Sequence, residues 1–172
     1  MLILPGYDNS GPQHWQSLWE AAHPEYRRVQ QKSWTAPVCD DWVAALDAAI
    51  VAAGDPPVLV AHSLGCMAIA HHAARHTRLV HGALLVAPPN VDDPDFPDVI
   101  QGFRPIPRRL LPFPSIVVSS SDDWFMAADD ARELAGAWGS RFVLLERGGH
   151  INADAGFGPW PEGERLLAEL TA

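Results

Sequence analysis

The chain has 172 residues, of which 48% are hydrophobic and 19% are charged, and its formal net charge is −9. This length and composition predict a single globular domain, residues 1–172, large enough to bury a substantial core. An acidic chain is a poor match for nucleic acid, whose phosphates are bound by basic surfaces, and for an anionic membrane surface. We therefore expect neither as a partner.

The apolar runs are too short for a membrane span, because proline, glycine or charge breaks each one well before the ~18 residues that a spanning helix needs. The opening residues, MLILPGYDNS, lack the basic segment of a signal peptide and predict a strand that begins at once. The two cysteines, Cys39 and Cys66, are too few for a disulfide framework and favour a reducing cytoplasm. We expect Cys66 to be a small buried helix residue.

Short apolar runs alternate with longer segments of helical periodicity. Strands are predicted over Met1–Leu4, Tyr26–Gln30, Val58–Ala61, Gly82–Ala87, Ser115–Ser119 and Arg141–Leu145. Helices are predicted over Gln13–Ala22, Asp40–Ala53, Leu64–Arg75, Ala127–Trp138 and Glu162–Leu170, with Trp15, Trp19, Trp42 and Trp138 on their apolar faces. Most of the strands show little alternation, as parallel strands covered on both faces do, so we expect a parallel α/β sheet. The proline-rich stretch 88–114 predicts an irregular surface excursion over the strand ends.

A serine stands between the third strand and the third helix, in the segment VLVAHSLGC. A strand–serine–helix turn is the nucleophile elbow, usually G-x-S-x-G, whose flanking positions must be small. Here those positions hold Ala61 and Gly65, so alanine replaces the first glycine. The turn places Ser63 at a helix N-terminus, where the N–H of Leu64 can face an oxyanion. The alternative is that Ser63 only caps the helix.

A serine nucleophile needs a base, and the base needs an orienting carboxylate. The segment IVVSSSDDWF ends in Asp122 and Asp123, and the segment FVLLERGGHI then supplies His150. All lie just beyond strand ends, where open α/β sheets place their sites, and in the order acid then histidine. This predicts Ser63 as nucleophile and His150 as base. We prefer Asp123 as the acid and expect Asp122 to stabilise the turn, but the sequence leaves the two open.

The loop LPGYDNSGPQHW after the first strand is the expected source of a second oxyanion donor. Gly6 lets the backbone turn toward the serine, which makes the N–H of Tyr7 the candidate beside that of Leu64. Asn9, in the same loop, is a candidate for binding substrate. So are Trp124 and Trp160, which follow the predicted acid and base, with Phe125 and Phe157 as weaker candidates.

The segments LPGYDNSGPQHWQ, VLVAHSLGC, VSSSDDWF and ERGGHINADAGFGPWPEG together resemble the YdeN family of small α/β-hydrolases, which includes the retinoblastoma-binding protein nine type serine hydrolases. The likeness extends over residues 1–168. It implies a compact α/β-hydrolase fold with a minimal lid, a catalytic set of Ser63, Asp123 and His150, and a cytoplasmic esterase-like activity. It also supports Asp123 over Asp122.

We therefore expect a six-stranded parallel sheet of order 2-1-3-4-5-6 with helices on both faces and no large cap domain. The expected activity is hydrolysis of small acyl esters through an acyl-enzyme intermediate, with no cofactor and no metal. Two alternatives stay open: a serine peptidase or amidase, and a catalytically idle hydrolase-like module that binds a protein partner. No dinucleotide or phosphate-loop motif is present.

Several histidines fall outside this set. His71, His72, His76 and His81 surround the end of the third predicted helix, where cations are favourable, and we expect them to be exposed. Histidines four apart, as His72 and His76 are, can bind zinc, but the sequence shows no further ligand. His14 is expected to pack against Trp15.

Overall fold

The computed structural model describes residues 1–171, which contain six strands and five helices. The strands are β1 (Leu2–Leu4), β2 (Arg27–Arg28), β3 (Val58–His62), β4 (Gly82–Val86), β5 (Ser115–Ser120) and β6 (Arg141–Leu145). The helices are α1 (Trp15–Ala22), α2 (Cys39–Ala53), α3 (Leu64–Arg75), α4 (Ala128–Trp138) and α5 (Pro161–Glu169). Strand and helix alternate except between β4 and β5, where the proline-rich stretch 88–114 takes the place of a helix.

The strands form one parallel sheet of order β2-β1-β3-β4-β5-β6, as predicted. The second strand is shorter than predicted, with two residues paired to β1. Its partner strand is itself brief, because Pro5 follows Leu4 and has no N–H to continue the ladder. The order in which strands are added reverses at β1: β2 lies on one side of it, and β3 to β6 follow on the other. The loops that leave β1 and β3 therefore diverge and open a crevice at the carboxyl ends of these two strands.

The sheet separates two apolar layers. Leu4 and Leu59 join the layer beneath α2, α3 and α4, whereas their neighbours Ile3 and Val60 join the layer beneath α1 and α5. This alternation follows from the two-residue period of a strand, and burial on both faces explains the continuous apolar runs. The helix tryptophans predicted to be core are 1% exposed or less: Trp15, Trp19, Trp42 and Trp138.

The stretch 88–114 lies against this core as an irregular segment. Phe103 and Ile106 anchor it, at 1% and 4% exposure, and a bridge joins Gln101 to Val38 just before α2. Prolines prevent a regular helix here, as predicted. No helix within residues 1–171 is long and apolar enough to cross a membrane.

Candidate active site

Ser63 occupies a strained turn between β3 and α3. Its backbone has φ 52° and ψ −125°, a conformation that is rare for residues other than glycine and costs about 1–3 kcal/mol. The Ser63 side chain makes no capping hydrogen bond to α3, so the interpretation of this serine as a helix cap is wrong. The turn instead holds the hydroxyl at the carboxyl edge of the sheet, facing the crevice.

The glycines around Ser63 are required by close backbone contacts. A Cβ on Gly65 would lie 2.3 Å from the carbonyl oxygen of Leu4 and 2.9 Å from that of Pro5. A Cβ on Gly6 would lie 2.8 Å from the Cβ of Ser63. The position of the missing first glycine holds Ala61, which is fully buried in the sheet, so its methyl group fits where a larger side chain would not.

The three residues predicted to work together form a chain of hydrogen bonds. Ser63 Oγ lies 2.9 Å from His150 Nε2, and His150 Nδ1 lies 2.9 Å from Asp123 Oδ2 and 3.1 Å from Asp123 Oδ1. The Asp123 side chain is 1% exposed and that of His150 is 7% exposed. With its proton on Nδ1, facing the carboxylate, the imidazole presents a free Nε2 that can accept the serine proton.

Asp122 makes different contacts. Its Oδ1 accepts hydrogen bonds from Ser120 Oγ at 2.7 Å and from the N–H of Gly149 at 2.8 Å. These bonds lower the pKa of the Asp122 carboxyl group. Asp122 therefore ties the loop after β5 to the loop that carries His150, and the contact geometry favours Asp123 as the partner of the imidazole.

Two backbone N–H groups are available near Ser63. Leu64 is the first residue of α3, and neither its N–H nor that of Tyr7 donates a hydrogen bond within residues 1–171. The first loop runs beside the elbow, because a Cβ on Gly6 would lie 3.3 Å from the Leu64 nitrogen. Two unpaired donors on neighbouring segments are suited to an anionic oxygen.

A cavity of about 270 Å³ opens over Ser63 and His150. Tyr7 and Leu64, the candidate oxyanion donors, and Asn9, a candidate substrate contact, line it. Phe125 also lines it, with its ring centroid 4.5 Å from that of His150. The stretch 88–114 contributes apolar side chains to the lining: Pro89, Phe96, Pro97 and Ile100. The remaining lining residues are His14, His62 and Asn152.

The two tryptophans predicted to bind substrate do not line this cavity. Trp160 is 6% exposed and packs between α1 and α5, with its ring centroid 5.1 Å from Trp15 and 6.0 Å from Trp19. The prediction for Trp160 is wrong because the chain turns at this residue, with φ 46°, to begin α5 and carries the indole into the core. Trp124 is 70% exposed and lies outside the lining, with its ring centroid 6.3 Å from that of His150.

Two further histidines adjoin the site. His62 is 6% exposed, and its Nε2 lies 2.8 Å from the carbonyl oxygen of His150, to which it can donate. Burial, together with the nearby His14 and His150, lowers the pKa of His62 well below its usual value, and burial lowers that of His14 to about 4. Both rings are therefore neutral at pH 7 and add no charge beside His150. Sequence reasoning missed this role of His62, because its partner lies 88 residues away.

His14 also packs against Trp15, as predicted, with ring centroids 5.2 Å apart. The predicted exposure of His71 and His72 is wrong, since they are 6% and 2% exposed. His71 Nε2 lies 2.9 Å from the Phe103 carbonyl oxygen, so the stretch 88–114 covers this part of α3.

The metal-ligating side chains that come together within residues 1–171 are not in this cavity; they are Asp47, His72 and His76.

The chain is similar to several known hydrolases. A YdeN-like hydrolase from Pectobacterium atrosepticum is 35% identical, with a TM-score of 0.88 over 99% of this chain and 89% of that chain. The ydeN gene product of Bacillus subtilis is 22% identical, with a TM-score of 0.78 over 99% of this chain and 97% of that chain.

Carboxylesterase CesB from Bacillus subtilis shares the fold at 15% identity, with a TM-score of 0.65 over 97% of this chain and 81% of that chain. No curated protein matches this sequence. The family model described as serine hydrolase matches residues 1–169. With that match and its YdeN-like structural relatives, the chain belongs to the serine hydrolase family, among the small YdeN-like α/β-hydrolases.

Proposed function

We propose that this chain is an esterase that cleaves small acyl esters, with Ser63 as nucleophile, His150 as general base and Asp123 as the orienting acid. The observation that carries the proposal is the chain of hydrogen bonds from Ser63 Oγ through His150 to Asp123, beneath a cavity that Ser63 and His150 line. That arrangement joins a nucleophile, a base and a carboxylate within direct proton-transfer distance.

The contacts support a role for each group in this reaction. Ser63 Oγ forms a bond to the acyl carbon while its proton passes to His150 Nε2 and the carbonyl electron pair moves onto oxygen. The N–H groups of Leu64 and Tyr7 hold this oxyanion, and the Asp123 carboxylate stabilises the imidazolium. The intermediate collapses, the alcohol leaves with the proton from His150, and an acyl-enzyme remains. Water, deprotonated by His150, then releases the acid and restores the serine.

The cavity supports a small substrate. Its volume of about 270 Å³ falls below the roughly 300–1,000 Å³ that is usual for pockets that enclose drug-sized ligands. Phe96, Ile100 and Phe125 give it an apolar lining suited to a short acyl chain. Residues 1–171 contain no cap domain that would enlarge it, because the connections between consecutive strands are single helices with their loops, apart from the irregular stretch 88–114.

The proposal is tested by steady-state hydrolysis of p-nitrophenyl esters of increasing acyl length, alongside anilides with the same acyl groups. We expect the highest kcat/KM for short esters, and a fall in kcat on the order of 10⁶ in Ser63→Ala. Ser140→Ala is the matched control, because Ser140 pairs with Ser115 at the opposite edge of the sheet.

Other outcomes favour the alternatives. A preference for long-chain esters would contradict the assigned substrate size. Anilide turnover equal to ester turnover would favour the amidase, and no turnover by folded wild type would favour the protein-binding module.

We also propose a cytoplasmic location. Cys39 and Cys66 are buried free thiols, which suits a reducing compartment. Fractionation of the native host cells tests this, and recovery of the protein outside the cytoplasmic fraction would contradict it.

A further inference from the structure

Three side chains converge where α2 meets the end of α3. Asp47 on α2 lies against His72 on α3 and His76 just beyond it. His72 Nε2 is 3.1 Å from Asp47 Oδ1, and His76 Nδ1 is 3.5 Å from the same oxygen. The two imidazole rings stack with centroids 4.7 Å apart. Both ring nitrogens therefore lie close to one carboxylate oxygen, and His72 is hydrogen-bonded to it.

The two nitrogen–oxygen separations in this cluster are close to those between the ligand atoms of a zinc ion. One ligand atom from each residue lies within 4.8 Å of the others. A tetrahedral zinc ion holds its nitrogen and oxygen ligands about 2.0–2.2 Å away, and therefore about 3.4 Å from one another. The separations of 3.1 and 3.5 Å bracket that value. Two imidazoles and one carboxylate form a common zinc ligand set with a fourth position left open.

The three side chains of the cluster are buried to different extents. The side chain of His72 is 3% exposed, that of Asp47 is 19% exposed and that of His76 is 35% exposed. One ligand is therefore fixed in the interior by packing, while the other two reach solvent. A metal ion can enter from the His76 side, and water can fill the open position.

A competing cation already contacts the carboxylate. Arg78 Nε donates to Asp47 Oδ1 at 2.9 Å, and Arg78 Nη2 donates to Asp47 Oδ2 at 3.2 Å. The Arg78 bond is the main cause of a pKa of about 2 for Asp47, so the carboxylate is ionised at neutral pH. The Arg78 side chain is 50% exposed and can turn into solvent. Metal binding must therefore displace this ion pair, and this competition lowers the affinity of the site for the metal ion.

We propose that Asp47, His72 and His76 form a binding site for a divalent transition-metal ion such as Zn²⁺, which links α2 to the end of α3. His72 lies nine residues along α3 from Ser63, about 13 Å at 1.5 Å per residue. The ion therefore stabilises the packing of two helices and takes no part in the hydrolytic chemistry. The sequence showed the two histidines but not the third ligand, which lies 25 residues from His72.

The test is calorimetric titration of ZnCl₂ into protein freed of metal with EDTA and then dialysed. We expect one equivalent to bind per chain and the Tm to rise with zinc concentration. Asp47→Asn and His76→Ala should each weaken zinc binding by more than about tenfold. His76 is partly exposed, so its substitution removes a ligand while leaving the core intact.

Two further variants separate this site from adventitious binding. His81→Ala, which removes an exposed histidine outside the cluster, should bind zinc as wild type does. Arg78→Ala should bind zinc more tightly than wild type, because the competing guanidinium is gone. The proposal is overturned if wild type binds no zinc, if His76→Ala binds as tightly as wild type, or if Arg78→Ala binds more weakly.

Discussion

The substitution Asp123→Asn changes the proton arrangement of the site while conserving its shape. Asp123 Oδ1 accepts the N–H of Phe125 at 2.9 Å, whereas Oδ2 contacts only His150 Nδ1, also at 2.9 Å. An asparagine keeps its carbonyl oxygen on the Phe125 N–H, which places the NH₂ group against His150 Nδ1. That nitrogen must then accept, so the ring proton moves to Nε2 and faces Ser63 Oγ. The imidazole can no longer take the serine proton.

The loss of kcat that this tautomer change causes is known from another enzyme. In a Ser-His-Asp protease the same replacement lowers kcat about 10⁴-fold, which corresponds to about 5.4 kcal/mol at 1.36 kcal/mol per factor of ten. We expect a loss of this order for Asp123→Asn in p-nitrophenyl ester hydrolysis, with little change in Tm. Asp122→Asn is the matched control and should keep kcat within about tenfold, since Asp122 contacts Ser120 and Gly149 instead of the imidazole. Equal losses in the two folded variants would contradict a specific role for Asp123 in setting the tautomer of His150.

Three more predictions follow from the packing and burial around the site. Gly65→Ala sets a Cβ 2.3 Å from the Leu4 oxygen, so it should displace the elbow, lower the Tm and cut kcat about 100-fold; unchanged turnover would contradict this. Phe96→Ala enlarges the cavity and should shift the optimal acyl length upward in the ester series, whereas an unchanged profile would exclude Phe96 from acyl contact. Because burial lowers the pKa of His14 from 6.5 to about 4, the unfolded chain binds a proton that the folded chain does not, and the free energy of unfolding falls as pH drops from 6.5 to 4. His14 contributes about 3 kcal/mol to this fall in the free energy of unfolding. His14→Asn retains an acceptor for the Gln16 N–H, and its free energy of unfolding from urea titrations should depend less on pH. An identical pH dependence in the two proteins would contradict this.

The sheet and the elbow could be predicted because local sequence carries their physical cause. Runs such as VLVA, without alternation, indicate strands buried on both faces, and the parallel order then follows from helices that cross between them. Gly65 was predictable from the motif alone, since close backbone contact is a property of the turn itself. Chain order placed Ser63, Asp123 and His150 just beyond the carboxyl ends of β3, β5 and β6, and the structure brings their side chains within hydrogen-bond distance.

The contacts of the histidines and of Trp160 depend on distant segments and could not be predicted locally. His71 is buried because the stretch 88–114 passes over α3, and His72 because Asp47 of α2 faces it. Trp160 lies close to His150 in sequence, yet a left-handed backbone conformation turns it into the core. His62 ends β3, and its contact with the His150 carbonyl depends on the approach of the loop that carries His150, which no periodicity indicates.

Labelling with a fluorophosphonate, followed by peptide mapping, in wild type and in His150→Ala tests most directly whether Ser63 and His150 work together. We expect wild type to be phosphonylated at Ser63 and His150→Ala, although folded, not to be labelled at a comparable rate. Labelling of a different residue, or undiminished labelling of Ser63 without His150, would contradict the assignment of Ser63 and His150 as a working nucleophile and base.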